Sequence, residues 1–229
     1  MRTKKNTPDL HLLINKAIEF AAKRHEGAYR KGTDIPYIAH PMKVLYLLQK
    51  YNQSYVCQIA GICHDLQEDT KTTNAEICEL FGVDVGYIVN ALTLGKKNGW
   101  RKAREDFFDY YANVMNGDAS VEAITTEANV WTVKGADIVA NLEDLANEYE
   151  IKGDKLFEKF NASKEDEAWY YARALFWAYH ILNESSSHKD AVKMVSLGFN
   201  CYNKVFGFAA YNKYKPTEDE RMYNREPWE

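Results

Sequence analysis

Apolar residues recur at three- and four-residue spacings along most of this chain, and no segment sustains the two-residue alternation of a half-buried strand. Leu10, Leu13, Ile14, Ala17, Ile18 and Ala21 form one such stripe between Asp9 and His25. Similar stripes run through Met42 to Tyr51, Val56 to Gln67, Val85 to Leu92, Arg104 to Met115, Val121 to Tyr149, Ala168 to Leu182 and Ala191 to Phe206. A further helix is marked at both ends: Thr73 and Glu76 have the spacing of a capping box, and Gly82 is placed to stop it. The pattern predicts an all-α bundle of about eight to ten helices.

The 229 residues suit one domain over residues 1–229, with 46% hydrophobic residues supplying an ordinary core. Within it, residues 10–150 would form the motif-bearing core. Residues 151–210 would form a helical extension rich in aromatics (Trp169, Tyr170, Tyr171, Phe176, Trp177, Tyr179), and residues 211–229 a polar tail, loosely held from Asn212. The aromatic helix fits core packing or an oligomer contact better than a stacking platform. The stretches around Gly95–Lys102, Gly117 and Ser186 read as interhelical loops.

A net charge of −4 argues against a surface devoted to nucleic-acid backbone or anionic lipid, so an anionic partner should be small. No apolar run approaches about 18 residues, and the N-terminus lacks the apolar region of a signal peptide, so a cytoplasmic protein is expected. Cys57, Cys63, Cys78 and Cys201 contain no CxxC pair, and the first three lie on apolar-periodic stretches as small hydrophobes.

The chemistry concentrates in a few polar residues on apolar segments. His64-Asp65 ends the run QIAGICHD, His40 opens a helix after PYIA, and Asp137 lies within VKGADIVANL. A carboxylate flanked by Ala136, Ile138, Val139 and Ala140 is poorly explained as a solvated face and needs a metal or a cation. The order H…HD…D therefore marks His40, His64, Asp65 and Asp137 as candidate ligands of mixed nitrogen and oxygen type. Glu68 and Asp69 stand one turn beyond His64 and Asp65, where carboxylates could position or deprotonate a metal-activated water. Arg30, Lys31, Lys96 and Lys97 are cations available to phosphate oxygens. Asn141, one turn from Asp137, could read a ribose or a base, and His25 could either support the ligands from behind or fix its loop as a core histidine.

The segments AIEFAAKRHEGAYRKGTDIPYIAHP, IAGICHDLQEDT, the FG of ELFGVDV, the LT of VNALT, and VKGADIVANLEDL together resemble the hydrolase domain of the RelA/SpoT family, especially small alarmone hydrolases and metazoan SpoT homologues. The resemblance spans about residues 10 to 150. It implies that His40, His64, Asp65 and Asp137 hold one Mn²⁺, that Glu68 and Asp69 activate water, and that Arg30, Lys31 and Asn141 touch a guanosine nucleotide. The implied reaction removes the 3′-diphosphate of ppGpp or pppGpp, leaving GDP or GTP and pyrophosphate. Other substrates for the same site are the NADPH 2′-phosphate, a tRNA 3′-pyrophosphate (disfavoured by the acidic charge) and deoxynucleotides. A contact antitoxin for a partner synthetase is a reading of another class. Two departures bear on the substrate: Gln67 replaces a usual aliphatic residue, and Ile138 stands where the family commonly carries a basic residue beside the aspartate.

Overall fold

The structure, a computed structural model, describes residues 9–94, 99–116, 121–218 and 220. Its elements are helical, as the periodicity predicts: eleven α-helices and one 3₁₀ segment among the described residues. α1 (Leu10–Arg24) begins at Asp9, whose carboxylate accepts from His11 N at 3.0 Å. α2 (Ala39–Lys50) and α3 (Tyr55–Cys63) follow, and α3 is capped by the Ser54 hydroxyl. The expected helix through Gln67 is broken. His64 and Asp65 form a turn, and a separate one-turn α4 spans Leu66–Asp69.

α5 (Asn74–Phe81) carries the predicted capping box, with Thr73 and Glu76 each satisfying the other's backbone N–H. Gly82, at φ 97°, ends α5 and starts α6 (Val83–Leu92), a conformation that favours glycine. α7 (Trp100–Asn116) is amphipathic and turns Phe107, Phe108 and Tyr111 inward. α8 (Val121–Lys152) is the central element and packs against α2, α3 and α6. Its residues from Val130 to Ala140 are all buried, because helices cover it on several sides.

Beyond α8 come a 3₁₀ segment (Gly153–Lys159), α9 (Lys164–Glu184), α10 (Lys189–Val205) and α11 (Phe208–Tyr214). Trp169, Tyr170, Tyr171, Phe176 and Trp177 of α9 are buried and the helix packs against α7 and α8, the core role expected of them, whereas Tyr179 is exposed. α8, α9 and α10 approach closely: a Cβ on Gly135 would lie 2.9 Å from Val195, and one on Gly198 would lie 2.7 Å from Leu175. The tail expected from Asn212 is more ordered than that reading. Asn212 to Tyr214 belong to α11, Pro216 is buried, and Glu220 pairs with Arg173. Residues 221–229 of the tail lie outside the described residues, as do Lys96 and Lys97. Among the described residues no helix is long and apolar enough to cross a membrane.

Candidate metal centre

A short hairpin-like loop precedes α2. Tyr29 bridges Pro36, Arg30 N donates to Ile35 O at 2.8 Å, and Tyr37 N donates to Ala28 O at 2.9 Å. The loop delivers Tyr37 and, on the first turn of α2, His40 to the bundle interior. Pro41 fits that first turn because its missing N–H would have had no helical partner there. From the other side, the break after Cys63 brings His64 and Asp65 together. On a continuous helix adjacent side chains diverge by roughly 100°; here His64 Nε2 lies 3.1 Å from Asp65 Oδ2. Asp137 reaches the same point from the middle of α8.

His40, His64 and Asp65 present donor atoms all within 4.8 Å of one another. Asp137 Oδ1 lies 3.1 Å from His40 Nε2 and 3.7 Å from His64 Nε2. Donors around a divalent ion at 2.0–2.2 Å lie roughly 3 Å apart when adjacent and roughly 4 Å when opposite, so these separations fit one cation. The protonation pattern fits as well. His64 Nδ1 lies 2.8 Å from the Gly61 carbonyl, which assigns it the proton, while the buried Nε2 has no hydrogen bond of acceptable geometry among the described residues. Burial alone would disfavour a charged His64 ring, but Asp65 and Asp137 outweigh it and raise its pKa well above the ordinary value. Asp137 moves the opposite way: against the upward push of burial, Lys134 and the two imidazoles hold it well below the usual carboxylate range. Two imidazoles and two carboxylates in a buried pocket thus call for positive charge where their donors meet.

Two residues that the sequence reading did not single out complete the centre. Lys134 Nζ donates to Asp137 Oδ2 at 2.9 Å, and the Tyr37 hydroxyl donates to Asp65 Oδ2 at 2.6 Å. Lys134 carried a signal, since a residue three before Asp137 on a helix shares its face. It also supplies the cation that Ile138 does not, and Ile138 itself is buried in the core. Tyr37 carried no comparable signal, because its contact joins a loop to a residue 28 positions away.

The other expected residues are distributed around the centre. Glu68 and Asp69 lie on α4, with Asp69 N bonded to Asp65 O at 2.9 Å. Asp69 lines an open cleft of about 670 Å³ together with His25 and Tyr37. His25 is buried and stacks on Tyr37 with ring centroids 4.7 Å apart, and burial lowers its pKa. A second cleft of about 420 Å³ is lined by Arg30, Lys31, Tyr37, His40, Asn141 and Tyr171, among others. Tyr37 belongs to both clefts and so stands between them.

The cations of the second cleft already have partners. Arg30 Nη2 donates to Asn141 Oδ1 at 2.9 Å and lies 3.4 Å from Asp144 Oδ2. Lys43 also pairs with Asp144, and Lys31 Nζ donates to Asn161 Oδ1 at 3.1 Å. Asn141 Nδ2 donates in turn to Asp137 Oδ1 at 2.6 Å, which links the cleft to the centre. An anionic ligand entering here must exchange with internal carboxylates and amides.

The family described as HD domain matches residues 17–164. A Myxococcus xanthus protein named GTP pyrophosphokinase is 32% identical over 145 residues, 63% of this chain and 18% of that protein. An Aquifex aeolicus protein named guanosine-3′,5′-bis(diphosphate) 3′-pyrophosphohydrolase is 40% identical over 84 residues, 36% of this chain and 12% of that protein. This chain therefore spans about a fifth or less of the length of these curated relatives. Among solved structures, a metazoan orthologue of SpoT described as hydrolysing ppGpp superposes with a TM-score of 0.57 at 19% identity, covering 82% of this chain and 94% of that one. The Listeria monocytogenes protein lmo0812 superposes with a TM-score of 0.54 at 20% identity, covering 74% and 99%. At such identities the structural likeness establishes the fold.

Proposed function

Because the chain belongs to the HD-domain family, we propose that it is a metal-dependent phosphohydrolase that removes the 3′-diphosphate of ppGpp and pppGpp, with Mn²⁺ as its ion. The observation that carries this reading is the cluster of His40, His64 and Asp65 donors within 4.8 Å of one another, with Asp137 Oδ1 beside both imidazoles. The names of the curated relatives and of the metazoan orthologue support the choice of substrate. The pyrophosphokinase activity named for other relatives is not carried over, because the match covers 18% of their length.

In this reading His40, His64, Asp65 and Asp137 hold the ion, which when bound supplies Lewis-acid polarisation and an acidified water. Glu68 and Asp69 orient the attacking water and take its proton. The water oxygen bonds to the 3′-linked phosphorus, the bond to the ribose 3′ oxygen breaks, and that oxygen leaves with a proton. Arg30 and Lys31, with Lys96 and Lys97 beyond the described residues, offset charge on the phosphate oxygens. Asn141 contacts the nucleoside.

The test is incubation of the purified chain with ppGpp and Mn²⁺, following pyrophosphate and GDP by anion-exchange chromatography. NADPH, a 3′-pyrophosphorylated tRNA and deoxynucleoside triphosphates run in parallel. Release of pyrophosphate from ppGpp in preference to the others is expected. No release by Mn²⁺-loaded protein would overturn the assignment, and preferential turnover of a competitor would replace its substrate.

A further inference from the structure

α9 begins where the family match ends, yet it reaches the metal centre. Lys134 is 8% exposed, and its ammonium group has two neighbours of opposite character. On one side is Asp137 Oδ2 at 2.9 Å; on the other is Tyr170 of α9, with its ring centroid 5.7 Å from Nζ. The Tyr170 ring is itself packed by α7: the Arg104 guanidinium lies 4.9 Å from its centroid, and the Trp100 ring meets it edge-on at 6.0 Å. The Asp137 carboxylate is thereby held at both oxygens, with Oδ2 on Lys134 and Oδ1 on Asn141, and Oδ1 faces the two imidazoles.

We propose that Lys134 and Tyr170 are positioning residues for metal capture: Tyr170 fixes Lys134, and Lys134 fixes the rotation of Asp137 so that Oδ1 is presented with His40 and His64. The inference rests on the same metal-centre reading as the proposed function but not on its substrate. A carboxylate ligand free to rotate must be ordered by the ion itself, and loss of an outer partner of this kind commonly costs roughly 10- to 100-fold in affinity. The positive charge of Lys134 works the other way by repelling the ion, so the sign of the Lys134→Met effect separates orientation from charge balance.

The experiment is Mn²⁺ titration of the full chain, counting free ion by electron paramagnetic resonance, with a metal-free thermal melt to confirm folding. Lys134→Met is expected to weaken binding roughly 10-fold or more, and Lys134→Arg to bring it back within about threefold of wild type. Tyr170→Leu should weaken it by a similar factor. Tyr170→Phe keeps the ring beside the ammonium, guards against misfolding, and should bind the ion as wild type does. Binding by folded Lys134→Met as tight as wild type, or tighter, overturns the role of Lys134, and unchanged affinity in Tyr170→Leu overturns that of Tyr170. Because the readout is ion affinity, weakened binding in a chain that leaves ppGpp intact would remove the proposed substrate and leave this inference standing. Turnover of ppGpp with unaltered Mn²⁺ affinity in all variants would do the reverse.

Discussion

The Tyr37 hydroxyl donates at 2.6 Å to Asp65 Oδ2, the same oxygen that stands 3.1 Å from His64 Nε2. One loop residue therefore holds a candidate ligand contributed by the turn after α3. Burial, then the Asp65 charge, raise the Tyr37 pKa, so it donates throughout the working range of pH. Tyr37→Phe should weaken Mn²⁺ binding roughly 10-fold and lower the stability of the metal-free chain by about 1–2 kcal/mol. Calorimetric titration and denaturant unfolding would check both, and unchanged values would show the bond to be incidental.

Removing Asp137 should cost more than a ligand. In Asp137→Ala the buried Lys134 ammonium loses its carboxylate, a loss of about 3–5 kcal/mol for a broken buried pair. Adding Lys134→Met should restore part of that stability while leaving ion binding abolished. The two substitutions measured singly and together by denaturant unfolding would reveal the coupling, and strictly additive costs would contradict it.

Glu167, 7% exposed on the first turn of α9, is predicted to make stability depend on pH. Burial pushes its carboxyl up to about 7, with Arg104 and Lys31 pulling down and Asp166 pushing up. A folded-state value above the unfolded one means that the folded chain holds the proton longer. The contribution is complete below the unfolded pKa, declines as pH rises through the folded value, and is flat above it. The loss is on the order of 2–3 kcal/mol. Glu167→Gln lacks this term, so the Tm of wild type relative to Glu167→Gln should fall by roughly 4–10 °C between pH 4.5 and pH 8. An identical difference at the two pH values would refute the shift.

Gly61→Ala tests how the ligand turn is seated. Alanine normally favours a helix by about 1 kcal/mol over glycine. Here the added Cβ would lie 2.4 Å from Leu48 Cδ1 and 3.1 Å from Val44 Cγ1, both fully buried. Overpacking of that kind costs about 1–3 kcal/mol, so a net loss of about 1 kcal/mol is expected in thermal melts. A stabilised variant would mean that α2 and α3 can separate freely.

The four candidate ligands stood out in the sequence because each breaks a local rule: polar groups at His40, His64, Asp65 and Asp137 interrupt apolar stripes that would otherwise be plain core. The break between α3 and α4 was not, since Leu66 continues the apolar run across it and periodicity alone cannot register a turn of two residues. Lys134 is not adjacent to Asp137 in the chain, as Ile138 is, yet helix geometry makes the residue three earlier its spatial neighbour. Ser163 caps α9, whose first residue, Lys164, stands four residues before the stripe expected from Ala168 to Leu182, and Asp166 N closes the cap on the Ser163 hydroxyl. The present partners of Arg30 and Lys31 depend on Asn141, Asp144 and Asn161, more than a hundred residues away, and no local pattern encodes them.

Along α8, Asp137, Asn141, Asp144 and Glu148 follow one another at helical intervals, a stripe roughly 16 Å long at 1.5 Å per residue. Its inner end stands at the ligand cluster, and its outer three members line the second cleft. A buried helix cannot stretch, so the stripe works as a ruler. A molecule anchored by a phosphate at the Asp137 end meets the outer marks only if its own length matches. A short phosphoester would leave them untouched, and a long polymer would have to continue past the rim into solvent. If the proposed nucleotide binds in this cleft, reach would gauge it as much as charge.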